Sequence, residues 1–173
     1  MKKIGLFIGL VTLTGAVAAN EIVDYSATPY INNQYVVLKD IFKNLKITQK
    51  NNGEITIVIP MDYGFQTGKS ALKRPMQDQL ALFSQFLNTY PESTIRIYGH
   101  TDNVGSAASN LKLGFSRARS VENVLVSNNV HQFRITTRSE GEEVPACSNS
   151  TPKGRECNRR VEMVLRVDKP QLF

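Results

Sequence analysis

The sequence predicts an α/β sandwich, one mixed sheet with helices packed on it, and three observations point there. Alternating apolar runs at Ile55/Ile57/Ile59, Ile95/Ile97, Phe133/Ile135 and Val161/Met163/Leu165 read as strands, with stretches of helical spacing between the first three. Strands separated by helices need crossover connections, which lay helices on a sheet face. The last strand follows a cysteine loop rather than a helix, so the order is β-α-β-α-β-β and that strand can pair antiparallel. The length of 173 residues, with 41% hydrophobic and 21% charged, suits one domain plus extras. Eleven Gly and seven Pro exclude collagen-like and low-complexity classes. A membrane barrel needs at least about eight strands, and there is no room for them.

Each element has a local cause. Met1-Lys2-Lys3, the apolar run Ile4–Leu13 and the small residues ending at Ala18-Ala19 form the three regions of a cleavable secretory signal. Residues 1–19 are therefore expected to be removed, and the run is too short for a spanning helix. Residues 20–53 are expected as an amino-terminal extension. Residues 20–33 lack periodicity and read as linker, while Leu38, Ile41, Phe42 and Leu45 mark one face of a short amphipathic helix. Asn51-Asn52-Gly53 is a turn signal, so the domain is expected to span 54–168, with a tail at 169–173. Tyr63 and Phe65 lie in a glycine-bounded loop and read as exposed. Pro75 suits a helix first turn, and Met76, Leu80, Phe83 and Leu87 supply its apolar stripe. A second helical region carries Phe115, Ala118, Val121 and Leu125.

Cys147 and Cys157 are the two cysteines, and an even count in an exported chain reads as a disulfide. Neither follows the leader directly, so the residue that a bacterial lipoprotein acylates is not expected here. The formal charge is +6, and losing Lys2 and Lys3 with the leader leaves a mildly basic chain. Its basic residues are scattered, with adjacent pairs only at Lys73-Arg74 and Arg159-Arg160 outside the leader, which argues against nucleic acid. Anionic wall or lipid surfaces suit the charge better.

The chemistry concentrates in Gly99-His100-Thr101-Asp102-Asn103-Val104-Gly105-Ser106, a polar loop directly after a strand, where α/β folds place ligands. On one continuous helix from Ser106, Arg117 would lie roughly 16 Å down the axis, out of reach of Asp102. Gly114 is a weak helix former and an acceptable N-cap, and a break there would put Arg117 in the first turn of a new helix and let it fold back beside Asp102. A carboxylate, a guanidinium and a helix N-terminus together suit a zwitterion. Spacing leaves open the alternative that Asp102 and Arg117 pair with each other as a structural bridge.

The ordered motifs Gly99-His100-Thr101-Asp102-x-x-Gly105-Ser106, then Asn110, Leu113, Arg117-Ala118 and Val121, resemble the OmpA-like peptidoglycan-binding domain. So do the closing run Cys157-Asn158-Arg159-Arg160-Val161-Glu162 and the earlier Phe65 with Lys69-Ser70-x-Leu72-Lys73-x-Pro75. The resemblance covers about residues 54–167. It implies that Asp102 takes the ammonium of diaminopimelate in peptidoglycan stem peptides and that Arg117 takes the adjacent carboxylate. Asn110 would line the pocket, with Thr101 as loop backbone and Arg160 as pocket wall. Gly114 and Ser109 depart from the family's usual serine and aromatic.

The expected function is therefore a periplasmic, wall-associated binding module with peptidoglycan as partner, no cofactor, no metal and no catalysis. Residues 20–53 are a candidate contact for an envelope protein. The main alternative is a wall-anchored part of a larger secretion or motility machine. A remoter one is a hydrolase built on His100 and Asp102 with Ser106 or Ser116. Only two histidines exist and no G-x-S-x-G elbow is present.

Overall fold

A computed structural model describes residues 28–167, so the leader and the carboxy-terminal tail expected from the sequence lie outside the described residues. The elements, in chain order, are α1 (Thr28–Ile41), β1 (Lys46–Gln49), β2 (Ile55–Pro60), α2 (Met61–Gly64), α3 (Arg74–Thr89), β3 (Ser93–His100), α4 (Ala107–Ser127), β4 (Ile135–Gly141), α5 (Pro152–Asn158) and β5 (Arg160–Val167). The five strands form one mixed sheet in the order β1-β2-β5-β3-β4. β3 and β4 are parallel across the α4 crossover, and the remaining pairs are antiparallel. The late strand β5 is thus the centre of the sheet, and Val161, Met163 and Leu165 are fully buried.

Strand alternation sends those three, with Ile55, Ile57, Ile59, Ile95 and Ile97, into one core beneath α1, α3 and α4. Phe42 meets Phe83 of α3 edge-on at 5.4 Å, which joins the amino-terminal segment to that core. The helical stripe read on α3 is buried at Met76, Leu80, Phe83 and Leu87, with Pro75 in the first turn.

Several expectations change. The helix expected around Leu38 starts earlier, at Thr28, with Pro29 in its first turn where a proline is tolerated. Lys46–Gln49, with one aliphatic residue, is an edge strand joined to β2 through Asn51-Asn52-Gly53. Residue 54 therefore lies inside a hairpin. Phe65 is buried rather than exposed, because α2 and the bridge to Leu72 turn it inward. Phe133 is not in a strand: it sits in a 3-10 turn over Gln132–Arg134, 94% exposed, and β4 starts at Ile135. The cysteine loop contains α5, and Cys147 and Cys157 are bonded.

α4 does not break at Gly114. It runs unbroken for 21 residues, and Gly114 serves a different purpose. A Cβ on Gly99 would lie 1.9 Å from the Gly114 carbonyl oxygen, and one on Gly114 only 2.8 Å from the Gly99 oxygen. The two glycines let helix and strand backbones touch, which fixes where α4 crosses the sheet.

Candidate ligand-binding site

The loop after β3 is anchored at both ends. Thr101 donates its backbone N–H to Gly141 O at 2.8 Å, tying the loop to the end of β4. Ser106 caps α4, accepting from the Ser109 N–H at 3.2 Å. Between them, Asp102 Oδ1 accepts from the Val104 N–H at 3.2 Å. Asn110, buried in the first turns of α4, donates from Nδ2 to Asp102 O at 3.2 Å and also to Glu142. These bonds fold the loop back along α4.

Arg117 reaches this region without a helix break. It follows Gly114 by three residues and so shares its sheet-facing side, and helical side chains lean toward the N-terminus. The loop's return and the side chain's length cover the rest of the distance. Arg117 is 5% exposed, and its Nε has no hydrogen-bond acceptor. Burial lowers its proton affinity first and Arg159 lowers it further, while Asp102 opposes both. Arg117 thus feels both charges, but the ion pair of Asp102 is made with another residue.

That residue is Arg159, whose Nη1 donates to Asp102 Oδ2 at 2.9 Å. Its backbone is held firmly. Arg159 N–H donates to Arg155 O at 3.1 Å, and Arg159 O accepts from the Met61 N–H at 3.1 Å. The preceding Asn158 is fully buried. Its Oδ1 accepts from Ala146 and Cys147 N–H at 2.9 and 2.8 Å, and its Nδ2 donates to Cys147 O and Asn149 Oδ1, both at 2.8 Å. Asn158 and the Cys147–Cys157 bond together lock the segment that presents Arg159.

Arg160, expected as pocket wall, is directed elsewhere. Its Nε donates to Glu162 Oε1 at 2.7 Å, Nη1 to Asn158 O and Nη2 to Val144 O, each at 3.2 Å. Successive strand residues point to opposite faces, so Arg160 lies with His100 and Glu162 on the face away from the helices. His100 is 3% exposed and neither ring nitrogen has a hydrogen-bond partner. Burial chiefly, then the Arg160 charge, depresses its pKa to about 4 against the pull of Glu162. Of the residues of the alternative hydrolase reading, Ser106 Oγ bonds Ser109, and His100 bonds neither Ser106 nor Ser116.

The structure therefore brings together Asp102, Asn110 and Arg117 of the expected residues, with Thr101 as loop backbone. It adds Arg159 and Glu142, which sequence reasoning missed. The Arg159-Arg160 pair was a signal for the first, but only the α5-to-β5 junction, with Arg159 ending the helix and Arg160 opening the strand, decides which arginine faces the loop. Glu142 had no distinguishing pattern beside Glu140 and Glu143. Among the described residues, no group of three His, Cys, Asp or Glu could hold a metal. The formal charges of Asp102, Glu142, Arg117 and Arg159 balance, which suits a ligand that carries both signs.

The sequence profile of the OmpA family matches residues 64–159, more than half of the chain. The chain belongs to the OmpA family. The match takes in Asp102, Asn110, Arg117, Glu142 and Arg159 and stops one residue before Arg160. The probable lipoprotein YiaD of Escherichia coli K12 is 31% identical over 137 residues, which cover 79% of this chain and 63% of YiaD. The peptidoglycan-binding protein ArfA of Mycobacterium bovis is 42% identical over 79 residues, 46% of this chain and 24% of ArfA. The chain thus spans less than two thirds of the length of these curated relatives. The fold is shared with a MotB-like protein of Desulfovibrio vulgaris at a TM-score of 0.70, covering 84% of this chain and 96% of that one at 23% identity. Among the described residues no helix is long and apolar enough to cross a membrane.

Proposed function

We propose that this chain binds peptidoglycan non-covalently, through the diaminopimelate of stem peptides, and acts as a wall-anchoring module in the periplasm. One observation carries the reading: in a member of the OmpA family, a loop carboxylate and a helix guanidinium share a charge-balanced cluster. The free end of diaminopimelate bears an ammonium and a carboxylate on one carbon. Asp102 takes the ammonium and Arg117 the carboxylate, for which its buried Nε lacks an acceptor. Asn110 holds the Asp102 loop in place. The relative named for peptidoglycan binding supports this ligand class.

Export by a leader at 1–19 belongs to the same proposal. The domain is proposed to include α1 and β1, since Leu38 and Phe42 are core residues. Val36 and Val37 point outward and are what α1 retains for a protein partner.

The test is sedimentation with purified sacculi. Charge-assisted hydrogen bonds contribute roughly 1.5–3 kcal/mol, so Asp102→Asn and Arg117→Ala should each weaken binding about tenfold or more. Because both act on one small ligand, the double variant should lose less than the sum. Wild-type binding by Asp102→Asn would reject the assignment.

A further inference from the structure

We infer that Arg159 sets the specificity of this site: by occupying Asp102 in the free protein, it makes the site accept a zwitterion and reject a simple amine. The inference rests on the ligand class proposed above and concerns a residue that the sequence reading did not place there.

The Asp102 carboxylate is already committed. Arg159 Nη1 lies 2.9 Å from Asp102 Oδ2, and the two side chains retain 31% and 14% of their exposure. An incoming ammonium cannot add to a free carboxylate. It must share Asp102 with the guanidinium or displace it. A displaced Arg159 still acts on Arg117, a buried guanidinium that already feels its charge. Both carboxylates of the cluster are engaged, since Glu142 receives Asn110 and Asp102 receives the Val104 N–H on its other oxygen. An amine without a carboxylate therefore replaces one cation by another and leaves the cluster with a net positive charge. Like charges in a partly dry site repel strongly.

A zwitterion removes that obstacle. Its ammonium takes Asp102 while its carboxylate accepts from the released Arg159 and from Arg117 Nε, so every charge stays paired. The geometry permits the exchange. Among the described residues the Arg159 guanidinium makes one hydrogen bond, to Asp102, whereas Arg160 makes three. The Arg159 backbone is pinned through Arg155 and Met61, so the movement is confined to the side chain.

The experiment is calorimetric titration of the full chain with two peptides that differ in one residue, diaminopimelate or lysine. Lysine keeps the ammonium and lacks the carboxylate. Wild type should prefer the diaminopimelate peptide by about tenfold or more, the scale of one charge-assisted contact. Arg159→Gln should weaken that peptide and leave the lysine peptide equal or tighter, so the preference falls by at least about fivefold. Arg159→Lys, which keeps a cation against Asp102, should retain most of the preference. The preference is a ratio measured on one sample, so partial unfolding of a variant does not imitate the effect. Equal losses for both peptides in Arg159→Gln would overturn the inference, leaving Arg159 a loop support. Equal binding of both peptides by wild type would also overturn it, while leaving wall binding intact. Binding of neither would instead overturn the peptidoglycan reading, and the inference with it.

Discussion

His100 shows how a single residue can sit in a binding motif and yet act on stability. Its side chain lies on the sheet face away from α4, next to Arg160 and 4.0 Å from Glu162 Oε2. Burial and the Arg160 charge hold it neutral, with a pKa of about 4 against 6.5 for the free side chain. The unfolded chain therefore takes up a proton between pH 6.5 and 4 while the folded chain does not. Stability is full above pH 6.5, falls as the pH drops toward 4 and levels off below. The depression corresponds to roughly 3 kcal/mol. Urea denaturation of wild type and His100→Asn across this window should show a steeper slope in wild type, the remainder belonging to carboxylates such as Glu54. An equal slope in both would assign the loss to other groups.

At the scale of elements, the Gly99–Gly114 contact controls the site from below. It sets the depth at which α4 rests on β3, and Asn110 and Arg117 ride on that helix. Gly99→Ala places a methyl 1.9 Å from a backbone oxygen, which neither element can move cheaply. The expected cost is about 3 kcal/mol or more. Gly114→Ala meets Ser139 Oγ at 2.3 Å, a hydroxyl that can rotate, and the Gly99 oxygen at 2.8 Å. Alanine also gains about 1 kcal/mol of helix propensity over glycine, so a smaller loss of roughly 1–2 kcal/mol is expected. Denaturation midpoints rank the two. A Gly114→Ala variant as unstable as Gly99→Ala would mean that the Ser139 hydroxyl does not move aside.

For the whole molecule, the segment before residue 54 is part of the packing. Leu38, Phe42 and Leu45 belong to the core, and β1 covers the edge of β2. Burying each such side chain contributes about 1.5–3 kcal/mol, a large share of a typical net stability of about 5–15 kcal/mol. A chain spanning 54–173 should therefore lose roughly 4 kcal/mol or more against 20–173, read as a lower urea midpoint. Coincident midpoints would restore the boundary at residue 54.

The sequence by itself determined the fold class, the core strands β2, β3 and β5, the helix α3 and the loop carrying Asp102. Each rests on short-range signals: alternation in Ile55/Ile57/Ile59, helical spacing in Met76/Leu80/Phe83/Leu87, a proline in a first turn. It also presented the cysteines as a pair. Only the tertiary structure decided the rest. β1 has too few apolar residues to announce itself, because an edge strand is held by backbone bonds rather than by burial. Gly114 looked like a helix breaker because propensity is local, whereas its role is a close approach to Gly99 across the sheet. Arg159 and Arg160 are equal in sequence and opposite in space. Arg160 opens β5 opposite His100, 60 residues earlier in the chain, and bonds Glu162, whereas Arg159 ends α5 and bonds Asp102.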